Sequence, residues 1–274
     1  MEIQQKLRQL DSILHELDSV LVAYSGGVDS TFLSAAAYDA LGERAMAVTG
    51  ISPSVAPSER QEAAELAARI GIRYRTVATS EMDDPNYIAN TPDRCFFCKD
   101  ELFTKLAAVA AEEKLSTVVD GFNLDDRGDF RPGQRAAREH GVRSPLAEAG
   151  LTKDDIRELS RERRLPTWDK PAMACLSSRI PYGTTVTVEA LTRIATAEAA
   201  LRALGLRQVR VRHHGDVARI ETDRDGMLLL MDDGVRPNAA AAVKAAGYAY
   251  VSMDLIGYRS GSLNETIPLR VLQA

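Results

Sequence analysis

Three groups of residues in this 274-residue chain have the types and spacing to do chemistry. The first is Ser25-Gly26-Gly27-Val28-Asp29-Ser30, which follows the apolar run Leu21-Val22-Ala23-Tyr24. Adjacent glycines let a backbone turn sharply and bring bare N–H groups close to a ligand. A helix opening at about Asp29-Ser30 would aim its free amides and the positive end of its dipole at the same place. Such a loop suits an anion, and a polyphosphate best. It is not a Walker A loop, since no Gly-Lys-Ser/Thr follows, and no G-x-G-x-x-G is present. The plain alternative is an ordinary strand-to-helix turn.

The second group is Cys95-Phe96-Phe97-Cys98 with the distant Cys175. Three thiolates could hold three irons of a [4Fe–4S] cluster and leave the fourth iron open. They could also hold zinc with one further ligand, or act as a redox pair with a separate nucleophile. Buried structural thiols are the remaining option. Arg94, Lys99 and Arg179 lie close to these cysteines in sequence and would favour thiolates. The third group is Arg210 and Arg212, which alternate on an expected strand and so project from one face. Two guanidiniums on one face make a phosphate clamp; a solvated strand face is the alternative. Glu198 and Glu221 are ordinary exposed acids by default, and His213 and His214 read as surface or satisfied residues.

The elements that must position these groups follow from periodicity. Apolar positions at Ile3, Leu7, Leu10, Ile13, Leu14 and Leu17 predict a helix over 3–17. Strands are expected at 20–24, 44–50, 73–78 and 117–121, with helices between them reaching 41, 71 and 115. Alternating strands and helices imply a parallel α/β sheet with flanking helices. Residues 79–98, with Pro85, Pro92 and two cysteines, read as a polar loop. Ligands of such sheets lie at the carboxyl ends of strands. The segment Gly121-Phe122-Asn123-Leu124-Asp125-Asp126 falls there, and Asp125 and Asp126 could hold Mg²⁺ on a polyphosphate; a solvated loop of turn-forming Asp and Gly is the alternative. Thr152-Lys153-Asp154-Asp155 reads as a helix cap. The composition changes near Pro181-Tyr182-Gly183, so the expected domains are 1–183 and 184–274. The second would be a small α+β domain with a helix over 188–204, a hairpin turning at Gly215-Asp216, a helix over 237–246 and a strand over 248–254.

Composition narrows the classes. A hydrophobic content of 45% suits a folded core, and a net charge of −5 offers no basic field for nucleic acid. No apolar run is long enough to span a bilayer. The polar N-terminus does not look like a signal peptide, so a cytoplasmic protein is expected. Three cysteines do not make a disulfide framework.

Ser25–Ser30 matches the PP-loop pattern Ser-Gly-Gly-x-Asp-Ser of ATP pyrophosphatases, which cleave ATP to AMP and pyrophosphate. Six motifs together resemble the LarE sulfur transferases over nearly the whole chain. They are the PP-loop, Asp120-Gly121, Asp129-Phe130-Arg131-Pro132-Gly133, Ser177-Ser178-Arg179-Ile180-Pro181-Tyr182-Gly183-Thr184, Val209-Arg210-Val211-Arg212 and Gly257-Tyr258-Arg259-Ser260-Gly261. The Ser-Ser-Arg-x-Pro-Tyr-Gly-Thr segment is the most specific. The resemblance implies adenylation of a carboxylate of pyridinium-3,5-biscarboxylic acid mononucleotide, then displacement of AMP by sulfur. Repeated on both carboxylates, this makes the pincer ligand of the nickel cofactor of lactate racemase.

The resemblance also implies roles. ATP and Mg²⁺ would be held by Ser25, Gly26, Gly27, Asp29, Ser30, Gly121, Asp125 and Arg131. Substrate would be held by Arg210, Arg212, Glu198, Glu221 and Arg259. Asp29, Cys175, Ser178 and Arg179 would be catalytic. One version of the family sacrifices the sulfur of a single cysteine; another carries sulfide on a [4Fe–4S] cluster held by three. Cys95, Cys98 and Cys175 favour the cluster version, fed by sulfide or another sulfur donor, and the family suggests a homo-oligomer. A PP-loop tRNA thiolase and a non-catalytic ATP-binding sensor are the competing expectations.

Overall fold

The computed structural model describes residues 2–128, 132–171, 174–259 and 261–262. In chain order these form α1 (Ile3–Glu16), β1 (Val20–Ala23), α2 (Val28–Leu41), β2 (Ala45–Ile51), α3 (Pro57–Ile70), β3 (Arg73–Ala78), α4 (Pro85–Ile88) and α5 (Arg94–Glu112). Then come β4 (Thr117–Val119), α6 (Gly133–Glu139), α7 (Pro145–Glu148), α8 (Lys153–Glu162), α9 (Val188–Ala203), β5 (Val209–His214), β6 (Val217–Thr222), α10 (Arg224–Met231), α11 (Arg236–Ala245) and β7 (Tyr250–Met253).

The chain divides into two compact units, Met1–Glu81 with Cys95–Met173, and Met82–Arg94 with Ala174–Ala274. The change of unit therefore comes at 173/174, ahead of the Gly183 boundary expected from composition. The Ser177–Thr184 motif belongs wholly to the second unit, together with an excursion, 82–94, from the first half of the chain.

The first unit is a parallel sheet ordered β3-β2-β1-β4. Its inner strands, Val20-Leu21-Val22-Ala23 and Ala45-Met46-Ala47-Val48, are apolar along their length because helices cover both faces. Leu10, Leu14, Phe32 and Leu33 pack on one face; Phe103, Leu106 and Val109 pack on the other. The order reverses direction between β1 and β4, so the loops after these two strands border the crevice where open sheets bind ligands. Among the described residues no helix is long and apolar enough to cross a membrane.

The second unit packs α9 and α11 on a three-stranded sheet, with β5 antiparallel and β7 parallel to β6. The excursion 82–94 is stitched into this unit. The amide of Asn90 donates to the carbonyls of Pro181 (2.8 Å) and Thr184 (2.9 Å), and the Tyr87 hydroxyl meets that of Ser177 at 2.6 Å. Arg94 donates to the Ser177 carbonyl.

One local expectation is corrected, and two helices are added. Residues 79–98 are not one loop: α4 forms within them, and the two cysteines lie in the opening turns of α5. Helix α7 is one addition: Pro145 starts it at a position that needs no N–H. Helix α10 was unforeseen between the last two strands.

Candidate active site

The nucleotide loop is built by its own hydroxyls. Gly26 takes φ +70°, which L side chains adopt only with strain, and a Cβ there would sit 3.1 Å from that of Ala63. Two serine hydroxyls close the turn: Ser25 and Ser30 Oγ are 3.1 Å apart, and the Ser25 N–H donates to Ser30 Oγ at 3.2 Å. Gly27 caps α2 in an extended conformation, which leaves the first-turn amides of the helix free of intrahelical partners. Gly121, just past β4, backs directly onto this turn. A Cβ there would lie 2.9 Å from the backbone nitrogen of Ser30, so Gly121 serves close packing beneath the loop.

Asp29, in the first turn of α2, is half-buried and fully engaged. Its Oδ2 meets Lys153 Nζ at 2.5 Å, and its Oδ1 accepts from Asn123 Nδ2 at 3.3 Å. Asp125 is exposed and accepts the backbone N–H of Lys153 at 2.8 Å, so one of its oxygens caps α8. On the other side of the loop, Lys170 donates to the Gly26 carbonyl at 3.1 Å and pairs with Glu62 at 2.8 Å. Arg131 lies outside the described residues, as does most of the Asp129–Gly133 motif.

In the second unit the motif residues converge on two buried carboxylates. Arg179 is 1% exposed and grips Glu198 with both Nε (2.8 Å) and Nη2 (3.0 Å). Glu198 also accepts from Arg202 Nη2 (2.9 Å) and from the Val211 N–H (3.0 Å). Burial pushes the Glu198 carboxyl up, but Arg179, Arg202 and the Val211 amide outweigh it and hold the group below the ordinary glutamate range. Glu221 is wholly buried between Arg212 Nη2 (2.6 Å) and Arg219 Nη2 (2.9 Å). Arg212 reaches on to the Ser178 carbonyl (2.7 Å) and the Ser262 hydroxyl (2.8 Å). Its buried Nε has no hydrogen-bond partner among the described residues.

Arg210 is buried with its guanidinium 5.6 Å from the centre of the Tyr258 ring. Burial, and then the nearby Arg179, push it down to about 10, so it stays charged at neutral pH. Arg259 donates to the Gly257 carbonyl (3.2 Å) and lies 3.8 Å from Asp254.

Cys175 precedes the 3-10 turn Leu176–Arg179. Its carbonyl accepts from the Ser178 N–H (2.9 Å) and from Arg179 Nη1 (2.9 Å), while Ser178 Oγ accepts from Arg179 Nη1 at 3.0 Å. Cys95 and Cys98 are three residues apart on α5 and therefore share a face. All three cysteines are half-buried and none is in a disulfide. Within each unit, among the described residues, no three His, Cys, Asp or Glu side chains gather to hold a metal ion.

A family model described as NAD synthase matches residues 2–90, the part that contains the Ser25–Ser30 loop. The chain is 46% identical over 97% of its length to an uncharacterised protein of Synechocystis sp., 99% of which is covered. It is 27% identical over 95% of its length to an uncharacterised protein of Methanocaldococcus jannaschii, covered in full. It is 38% identical over 96% of its length to the pyridinium-3,5-bisthiocarboxylic acid mononucleotide synthase of Lactiplantibacillus plantarum, 95% of which is covered. This chain belongs to the LarE family of ATP-dependent sulfur transferases.

Measured against the LarE expectations, the structure brings Ser25, Gly26, Gly27, Asp29, Ser30 and Gly121 together at one turn. It brings Ser178, Arg179, Glu198, Arg210, Arg212 and Glu221 together in the second unit. The default reading of Glu198 and Glu221 as exposed acids is overturned, since both are buried and ion-paired. The expected signal for Glu198 was present: it lies in register with Leu191, Ile194 and Leu201, on the apolar stripe of α9. Glu221 stands directly opposite Arg210 in the β5–β6 register. Two residues of the LarE nucleotide loop's surroundings were missed, Lys153 and Lys170. A lysine at the first position of a helix opposes the macrodipole, and that was the available clue for Lys153.

Proposed function

We propose that this chain uses ATP to convert the carboxylates of pyridinium-3,5-biscarboxylic acid mononucleotide into thiocarboxylates. The substrate carboxylate attacks the α-phosphorus of ATP, the bond to the β-bridging oxygen breaks, and pyrophosphate departs with its electron pair. A carboxylate is a poor electrophile, and AMP makes it a good one. The free amides of the Ser25–Ser30 loop stabilise the departing pyrophosphate. Asp29 and Asp125 are the carboxylates there that would hold Mg²⁺, each now accepting a hydrogen bond from this chain.

The observation that supports the substrate assignment is the set of three buried guanidiniums in the second unit, Arg179, Arg210 and Arg212, with the buried Nε of Arg212 lacking a hydrogen-bond partner among the described residues. A nucleotide loop alone has no need of such a set. Phosphate and carboxylate oxygens are the natural acceptors for such guanidiniums, and the substrate carries both. Glu221 and Arg259 would complete the clamp, with Ser178 and Cys175 at its edge. Sulfur then attacks the acyl carbon and AMP leaves.

The cysteines fit a thiolate-bound group: none is in a disulfide, and Cys95 and Cys98 share the positive end of α5, where anionic ligands are favoured. Cys95, Cys98 and Cys175 would hold a [4Fe–4S] cluster, which when bound supplies the sulfur, itself replenished by sulfide or another donor. The family likeness further suggests a homo-oligomer working in the cytoplasm.

The test is pyrophosphate release measured with and without the pyridinium biscarboxylate, alongside the mass of the product. Release that depends on this substrate, together with replacement of oxygen by sulfur, is the expected result. Substrate-independent release that persists in Asp29→Ala would refute the assignment.

A further inference from the structure

Asp29, at the nucleotide loop, is held in an ion pair with Lys153. Lys153 Nζ donates to Oδ2 of Asp29, a carboxylate for which a Mg²⁺ ion brought by ATP would compete. Ammonium and metal compete for one carboxylate, because each requires its lone pairs at short range. The lysine is also placed against the local field: it is the first residue of α8, where the macrodipole disfavours a cation.

Its backbone is fixed in that position. The capping box of Thr152 and Asp155 fixes the helix start, and Asp125 takes the Lys153 N–H. Only the side chain is free to relocate. Four methylenes on a fixed Cα let the ammonium move several ångströms without any change of fold. Both partners are only partly covered, at 30% for the Lys153 side chain and 23% for Asp29, so neither is locked in place by packing.

We propose that Lys153 is a pyrophosphate-binding residue held in reserve on Asp29. When Mg²⁺ arrives with ATP and takes Asp29, the ammonium transfers to the β- and γ-phosphoryl oxygens. The carboxylate then serves the metal and the lysine serves the phosphates. As the α-phosphorus is transferred, the bond to the β-bridging oxygen breaks and its electron pair adds negative charge to pyrophosphate, which the nearby ammonium neutralises. Before nucleotide arrives, the same pair keeps metal off Asp29, so metal and nucleotide bind together. Lys170, tied to the Gly26 carbonyl and Glu62, remains a fixed cation on the other side of the loop and does not exchange.

The inference rests on the ATP-using reading above, and the experiment separates the two. Wild type, Lys153→Met and Lys153→Arg are titrated with Mn²⁺ alone, and separately with Mg²⁺-pyrophosphate and Mg²⁺-ATP, without the organic substrate. In Lys153→Met, Mn²⁺ affinity without nucleotide should rise at least tenfold, and the rise should vanish when Asp29→Asn is added. Pyrophosphate affinity should fall about tenfold or more in the same variant and recover in Lys153→Arg. Unchanged affinities for Mn²⁺ and pyrophosphate in Lys153→Met would overturn the exchange. Wild type that binds neither ATP nor pyrophosphate would instead overturn the nucleotide reading on which it rests.

Discussion

Replacing Glu198 by glutamine should destabilise the second unit severely although the two side chains have almost the same shape. The carboxylate accepts four hydrogen bonds, two from Arg179 and one each from Arg202 and Val211, at 2.8–3.0 Å. Glutamine keeps one accepting oxygen and turns an NH₂ group toward a guanidinium that has only donors. Arg179 is 1% exposed, so its charge would be left buried beside Arg210 with no neutralising anion at that oxygen. Breaking a buried pair from one side costs about 3–5 kcal/mol. At roughly 2–4 °C per kcal/mol, that is a fall of roughly 6–20 °C in the unfolding midpoint. Arg202→Met is the control: Arg202 is 34% exposed, and its loss should cost no more than about 1 kcal/mol. Urea unfolding followed by circular dichroism measures both. The pH dependence has a definite sign. The folded-state pKa of Glu198 is depressed, so its contribution is complete above the ordinary glutamate value of about 4.3 and is lost as pH falls through the lower folded value. The gap between wild type and Glu198→Gln should therefore stay constant from pH 7 to 5 and close only below about pH 4. A gap under about 1 kcal/mol, or one that shrinks between pH 5 and 7, would refute this account of the site.

Gly26→Ala should lose about 1–2 kcal/mol, because the residue holds φ +70° and its Cβ would press on Ala63; nucleotide binding should fall with it, as read by ATP titration. Arg212→Ala should raise the KM for the organic substrate several-fold while leaving ATP affinity intact, and equal kinetics would remove Arg212 from the substrate clamp. Protein purified without oxygen should contain about four irons and matching acid-labile sulfide per chain, lost on Cys95→Ala, Cys98→Ala or Cys175→Ala alike. An iron-free protein whose Cys175 loses the mass of one sulfur on turnover would instead assign it as a sacrificial donor.

What was legible in the sequence was whatever depends on local pattern. The Ser25–Ser30 turn follows from its glycines and serines, and the parallel sheet follows from apolar runs alternating with helices. The helix around Cys95 and Cys98 was obscured because Pro85 and Pro92 sit just upstream and read as loop formers, whereas Pro85 begins α4. Partners distant in sequence were not legible at all. Nothing at positions 29 and 153 announces that Asp29 and Lys153 meet across 124 residues. The buried state of Glu198 is intermediate: its position on the α9 stripe marks it as inward-facing, yet only the presence of Arg179 makes an inward glutamate tolerable.

The stitching of 82–94 to a segment that begins ninety residues later has a consequence for synthesis on the ribosome. When Asn90 emerges, the carbonyls of Pro181 and Thr184 that its amide will bind do not yet exist. The intervening 95–173 must complete the first unit's sheet while this stretch waits without its partners. Translation from the N-terminus thus imposes an order in which the nucleotide-binding half matures first and the acid-lined half closes only after residue 174 is made. A pause in elongation between these points would prolong the exposure of Tyr87, which is 1% exposed in the finished fold, and make that stretch the natural foothold for chaperones and proteases alike.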